Sequence, residues 1–61
     1  MPFISKEDIE STIRRMPMDV RHRQRKQAII AKNIAWDNGD RRAYEQAIYK
    51  ISMLNLYIYG G

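Results

Sequence analysis

The four residues 37–40, Asp-Asn-Gly-Asp, restrict the fold of this chain more than any other feature. Gly39 suits the left-handed conformation that is common just past a helix C-terminus. Asp40 is a preferred N-cap for a helix that follows. Because helix-patterned segments lie on both sides of this short connection, the sequence predicts an antiparallel helical hairpin.

Apolar residues recur at helical spacing before and after this turn. The helix before it is predicted from about residue 18 to 38, with Asp19 at or near its N-cap. The helix after it is predicted from about residue 40 to 58. Its last part, residues 53–59, also suits a strand, but a lone strand would have no partner elsewhere in the chain. The predicted inward residues are Val20, Ala28, Ala31, Ile34 and Ala35 in the first of these helices, and Tyr44, Ala47, Ile48, Ile51 and Leu54 in the second.

A further helix is predicted at the start of the chain, over about residues 5–16. Ser5 is its expected N-cap, Asp8 completes a capping box, and Ile4 with Ile9 has the spacing of a hydrophobic staple. Pro17 ends it, since proline disfavours helical geometry in the residue before it. Residues 1–61 are therefore predicted to form one all-α domain of three helices, built on the antiparallel hairpin.

Composition narrows the classes of protein that remain. With 61 residues the chain makes one domain at most, and it has no cysteine for a disulfide or a thiolate metal site. It shows neither a secretory signal pattern nor an apolar run approaching the roughly 18 residues that a membrane span needs. We therefore expect a cytoplasmic protein with no membrane partner.

Catalytic chemistry has little support in the sequence. His22 is the only histidine, lies between Arg21 and Arg23, and has no evident carboxylate to orient it. Glu7, Asp8 and Glu10 are explained by the start of the first helix rather than by paired acid–base catalysis. We predict that the chain is not an enzyme and holds no cofactor or metal.

Positive charge is concentrated in residues 14–32, which carry seven cations against the single acid Asp19. On a helix Arg21, Arg25 and Lys32 fall near one line, whereas Arg23 points away. This basic face is either a solvated surface, a contact for nucleic-acid phosphates, or a surface for an acidic protein, and no known DNA- or RNA-binding signature accompanies it. Its predicted members are Arg14, Arg15, Arg21, Arg25, Lys26 and Lys32.

The last predicted helix has more apolar residues than one inward stripe can use. The surplus is either covered by the first helix or exposed for a homodimer or another protein, and aromatic residues and Met are enriched in interface cores. The predicted partner-binding residues are Trp36, Tyr49, Met53, Leu56 and Tyr57.

Residues 35–51, AWDNGDRRAYEQAIYKI, resemble the hairpin of the IDEAL domain, a short bacterial helical module. The resemblance rests on Asp37, Gly39, Asp40, Ala43 and the aromatic Tyr44, although KNIAW stands where the family has I-D-E-A-L. The same turn is similar to that of a tetratricopeptide hairpin. Either resemblance implies protein–protein contact rather than catalysis.

These observations predict a small regulator or adaptor, of the kind found in bacteria and phages, that binds another protein through its aromatic and Met face. The basic face would steer it to an acidic partner. The alternative is a nucleic-acid-binding module whose second helix contacts phosphates.

Overall fold

The computed structural model describes residues 6–60, and these form three α-helices with no strand among them. The helices are α1 (Lys6–Arg15), α2 (Met18–Asn38) and α3 (Arg41–Tyr59). α2 and α3 pack along each other as the antiparallel hairpin, and α1 packs on α3. The predicted all-α class is confirmed, and residues 53–59 are helical rather than a strand.

The turn between α2 and α3 has the predicted local chemistry. Gly39 is left-handed, with φ of 70°, and its N–H donates to the carbonyl of Trp36 at 3.2 Å. The N–H of Asp40 donates to the carbonyl of Ala35 at 2.9 Å, which completes a Schellman motif. The Asp40 carboxylate in turn accepts the N–H of Ala43 at 3.1 Å and caps α3. One short segment thus ends one helix and starts the next.

The starts of the other two helices differ in part from the prediction. Pro17, with extended backbone, occupies the N-cap position of α2 and makes no side-chain cap bond. Asp19 is therefore not the cap but lies in the first turn, where its charge still favours the helix dipole. The predicted cap Ser5 and staple residue Ile4 lie outside the described residues.

The core has two parts that differ in the size of their side chains. Ile9 and Ile13 of α1 are buried against Leu54 of α3. Between α2 and α3 the buried residues are alanines, which let the two helices approach closely: Ala28, Ala35 and Ala47.

Three predicted inward residues are exposed instead. Ile34 is 55% exposed, Ile48 is 39% exposed, and Ala31 also faces solvent. The alanines between α2 and α3 bury few side chains on either side of them. In addition, α1 contacts α3 around Tyr49–Tyr57 and does not cover the half of the hairpin nearest the turn. The second half of α2 therefore supplies less of the core than its apolar pattern predicts.

The polar first half of α2 is held in place by one side chain above all. Arg21 donates from Nε to the carbonyl of Ile13 at 3.1 Å and from Nη2 to the carbonyl of Arg14 at 3.2 Å. Its Nη1 donates to the carbonyl of Tyr57 at 3.0 Å, and its guanidinium lies 5.6 Å from the centre of the Tyr57 ring. These carbonyls belong to the last turns of α1 and α3, where carbonyls have no i+4 partner within the helix. That of Ile13 also accepts the N–H of Met16 at 3.1 Å. One guanidinium thus caps two helix C-termini.

Replacing Arg21 tests this arrangement. We expect Arg21→Met to lower the free energy of unfolding by about 2 kcal/mol, because three charge-assisted hydrogen bonds to backbone carbonyls are removed, two of them half-buried. The exposed neighbour Arg23, changed to Met in the same way, should alter it by less than about 0.5 kcal/mol. Urea unfolding followed by circular dichroism measures both. Equal effects of the two substitutions would contradict a capping role.

Candidate functional site

In the folded chain the cations of residues 14–32 fall into two groups, those that donate to other residues of the described chain and those that do not. Arg14, Arg21 and Arg25 are engaged with other residues. Arg14 donates to the Glu10 carboxylate at 2.7 Å and to the Tyr57 hydroxyl at 3.4 Å, and Arg25 donates from Nε to the Asn55 side-chain oxygen at 2.6 Å. Half of the predicted basic face therefore holds the helices together.

The other cations remain available to solvent. Arg15, Lys26 and Lys32 of the predicted face make no hydrogen bond or ion pair with any residue that the structure describes, and the same is true of Arg23. Arg15, Arg23 and Lys26 are exposed, while Lys32 is half-buried. Arg23, which the helical pattern sets apart from the basic face, is thus one of the cations that could meet an anion.

Arg14 stays charged at any ordinary pH. Its pKa is raised, first by the hydrogen bond to the Tyr57 hydroxyl and then by charge interactions with Tyr57 and Glu10. Since arginine already titrates above the physiological range, this shift does not act as a pH switch.

The apolar surplus of α3 is divided between two rows of side chains, each spaced by one helical turn. Tyr49, Met53 and Tyr57 form the first row and are half-buried. They pack against the cluster of Ile9, Ile13 and Leu54. The first row is therefore the surface on which α1 packs.

A second row lies beside the first and has no helix over it in the described part of the chain. It runs at i, i+4 spacing through Tyr44, Ile48, Ser52 and Leu56, with Tyr59 one turn beyond Leu56. Ile48, Leu56 and Tyr59 are 39%, 47% and 66% exposed. We refer to these five residues together with Trp36 of α2 as the α3 ridge.

Trp36 extends the ridge at the turn end of the hairpin. Its ring lies 5.1 Å from the Tyr44 ring, centre to centre, and it is 70% exposed, the most of any large apolar residue described. One and three turns before it on the same side of α2 are Lys32 and Arg25. The ridge is therefore flanked by cations of α2.

Of the predicted partner-binding residues, Trp36 and Leu56 are exposed on the ridge, whereas Tyr49, Met53 and Tyr57 pack against α1. Four further ridge residues were not among the predicted partner-binding residues: Tyr44, Ile48, Ser52 and Tyr59. The i, i+4 spacing of Tyr44, Ile48 and Leu56 was the available signal, but Ile48 also fitted the inward stripe. The sequence alone does not say which row the short α1 covers.

Other kinds of site find no support in the residues that the structure describes. They contain no group of three or more His, Asp or Glu side chains close enough to hold a metal ion. His22 is exposed, with its ring edge-on to Tyr59 at 6.4 Å. None of the described helices combines the length and apolar character that crossing a bilayer requires.

Comparison with known proteins finds no relative of this chain. No family model matches the chain, and neither a curated protein nor a solved structure is similar to it. The resemblance of residues 35–51 to the IDEAL-domain or tetratricopeptide hairpin stays a prediction.

A matched pair of substitutions separates the two rows of α3. We expect Met53→Ala to lower the free energy of unfolding by about 1–2 kcal/mol, because it removes packing against Ile13 and Leu54. Leu56→Ala should change it by less than about 0.5 kcal/mol, since Leu56 is half exposed. Both changes occur in one helix and have similar effects on helix propensity. Urea unfolding is the measurement, and an equal decrease for Leu56→Ala would place that residue in the core.

Proposed function

We propose that this protein is a small, non-enzymatic adaptor or regulator that binds an amphipathic helix of another protein along the α3 ridge. One observation carries the proposal: the α3 ridge, whose side chains from Trp36 to Tyr59 are aromatic or aliphatic except at Ser52 and exposed except at Tyr44, lies along a hairpin whose other apolar row is already covered. Exposed apolar patches of this kind mark protein-interaction sites in small soluble proteins.

The dimensions of the ridge suit a helix as its occupant. Tyr44 and Tyr59 are 15 residues apart in α3, which corresponds to about 22 Å along the helix axis. A partner helix of about four turns covers that distance and presents apolar residues at i, i+3, i+4 and i+7. Trp36 and Tyr59 anchor its two ends, since aromatic residues dominate binding energy at interfaces.

The charges beside the ridge indicate an acidic partner. Arg25 and Lys32 flank it on α2, and the Glu45 carboxylate near its turn end is paired with Arg41 at 3.2 Å. A second copy of this chain would bring the same cations into one interface, where like charges disfavour association. Glutamate and aspartate on the flanks of a partner helix would instead be attracted.

Selection from a random library of helical peptides, each about 16 residues long, tests this proposal. We expect the enriched peptides to combine one apolar stripe with acidic flanks. Trp36→Ala and Leu56→Ala should each weaken their binding, Trp36→Ala by at least about 2 kcal/mol, or roughly thirtyfold. Fluorescence anisotropy of labelled peptides measures the affinities.

Ile30→Ala is the matched control, because Ile30 is 58% exposed but lies on a different side of α2 from Trp36. It should leave peptide binding unchanged. The proposal fails when no peptide is enriched, or when enriched peptides bind the Trp36→Ala variant as well as the unchanged chain. A dimer in sedimentation analysis that Leu56→Glu dissociates would make the occupant a second copy instead.

Contact with nucleic acid is the second candidate, and the exposed cations favour it. Arg15, Arg23 and Lys26 have no described partner and face solvent. Arginine suits phosphate as well as it suits carboxylate. On this candidate the contacts are made by these three residues rather than by Arg21, whose three side-chain nitrogens each already donate to a backbone carbonyl.

Salt dependence tests the second candidate directly. Binding to a short fluorescent DNA duplex should weaken steeply between about 50 and 200 mM salt, because phosphate contacts release counterions. The double variant Arg23→Gln with Lys26→Gln should reduce the slope of log K against log salt by roughly two, since about one unit of slope comes from each phosphate that a cation neutralises. An affinity that does not change with salt would exclude phosphate contacts.

A further inference from the structure

Two arginines one turn apart in α2 differ in how many of their donors are used. Arg21 donates from all three of its side-chain nitrogens to backbone carbonyls. Arg25 donates only from Nε, to Asn55. Its terminal nitrogens, Nη1 and Nη2, make no hydrogen bond with a described residue. Every side-chain nitrogen of Arg21 is thus engaged, whereas the Nη1–Nη2 edge of the Arg25 guanidinium is left to bind another group.

Arg25 is also held in a defined position. The side chain is half-buried, its Nε bond to the Asn55 oxygen is short at 2.6 Å, and its guanidinium lies 5.7 Å from the centre of the Tyr59 ring. Because the Asn55 amide oxygen accepts from Arg25, the amide nitrogen of the same side chain is left to donate elsewhere. A guanidinium fixed in this way loses less conformational entropy when it binds an anion.

Arg25 lines an open hollow of about 480 Å³ at the Tyr59 end of the ridge. Its lining combines hydrogen-bond donors with an apolar wall formed by Leu56 and the Tyr59 ring, and it contains no acidic residue. The lining residues are Arg25, Ser52, Asn55, Leu56 and Tyr59. Such a lining suits a negatively charged group carried on a short aliphatic stem.

We propose that this hollow is a carboxylate-binding subsite, in which Arg25 Nη1 and Nη2 form two parallel hydrogen bonds to a glutamate or aspartate side chain. The Asn55 amide, the Ser52 hydroxyl and the Tyr59 hydroxyl are further donors, and the stem of the ligand packs on Leu56. The assignment of a protein side chain as the source rests on the proposed function, because Leu56 and Tyr59 belong to the α3 ridge. Phosphate shares the same donor chemistry and is the other source to test.

Nuclear magnetic resonance of the nitrogen-15-labelled chain of 61 residues tests the subsite without a partner protein. The probes are sodium acetate and inorganic phosphate, with sodium chloride at matched ionic strength as the reference. We expect acetate to shift the Arg25 Nε–H and Asn55 amide resonances in a saturable way, and chloride to leave them in place. Acetate should bind more tightly than phosphate.

Two arginine-to-lysine variants complete the experiment. Arg25→Lys keeps the charge but removes the planar fork, so it should weaken acetate binding by about tenfold, as expected when one charge-assisted hydrogen bond is missing. Arg23→Lys, at an exposed position of the same helix, should leave binding unchanged. An unaltered amide spectrum away from residue 25 shows that the Arg25→Lys variant is folded.

The outcomes separate this subsite from the proposed function. Equal weakening by both lysine variants, or shifts that follow ionic strength alone, would overturn the subsite, and tighter binding of phosphate would overturn its assignment to carboxylate. Peptides that need Trp36 and Leu56 but bind the Arg25→Lys variant normally would leave the adaptor function standing without the subsite. Saturable acetate binding in a chain that enriches no peptide would support the subsite and remove the adaptor function.

Discussion

The cap that Arg21 forms on two helix ends determines how the rest of the molecule is arranged. The last turns of α1 and α3 both present carbonyls to the same guanidinium, which donates to three of them. Because these ends carry partial negative charge, a cation there stabilises both helices. α1 is therefore placed beside the last turns of α3, where Ile9 and Ile13 bury Leu54. A short helix that buries little more than these two isoleucines needs such an anchor.

The position of α1 in turn decides which surface is left for a partner. A chain of this size buries only about 60% of the surface that it exposes when unfolded. α3 has apolar residues in three directions, toward α2, toward α1 and along the ridge, but only two helices are present in the described chain to cover them. The row from Tyr44 to Leu56 is the one that remains. Its exposure thus follows from the number of helices and the place where α1 is anchored.

The parts of the fold that local chemistry decides could be predicted from the sequence. Gly39 and Asp40 define the turn whatever packs around it, so the hairpin and its ends were recoverable. The inward position of Leu54 followed from periodicity. The exposure of Ile48 did not, because its position on the helix is compatible with both the α2 seam and the ridge. Whether Ile48 faces α2 or the ridge depends on how closely the alanines let α2 approach α3, and this distance is set only when the two helices pack together.

The roles of the cations in residues 14–32 were even harder to predict from the sequence than the exposure of Ile48. Seven cations in one segment look equivalent by charge, yet Arg21 and Arg14 serve the fold, Arg25 serves it in part, and Arg15, Arg23 and Lys26 do not. Their partners lie far away in sequence, at residues such as Asn55 and Tyr57, so charge patterning cannot distinguish them. Salt acts differently on the two groups as well. The exposed cations are screened within about 8–10 Å at ordinary ionic strength, whereas the contacts of Arg21 with the carbonyls of Ile13 and Tyr57 are short and half-buried and are screened less. A chain can therefore carry a strongly salt-sensitive surface while the arginines beneath it continue to hold the fold.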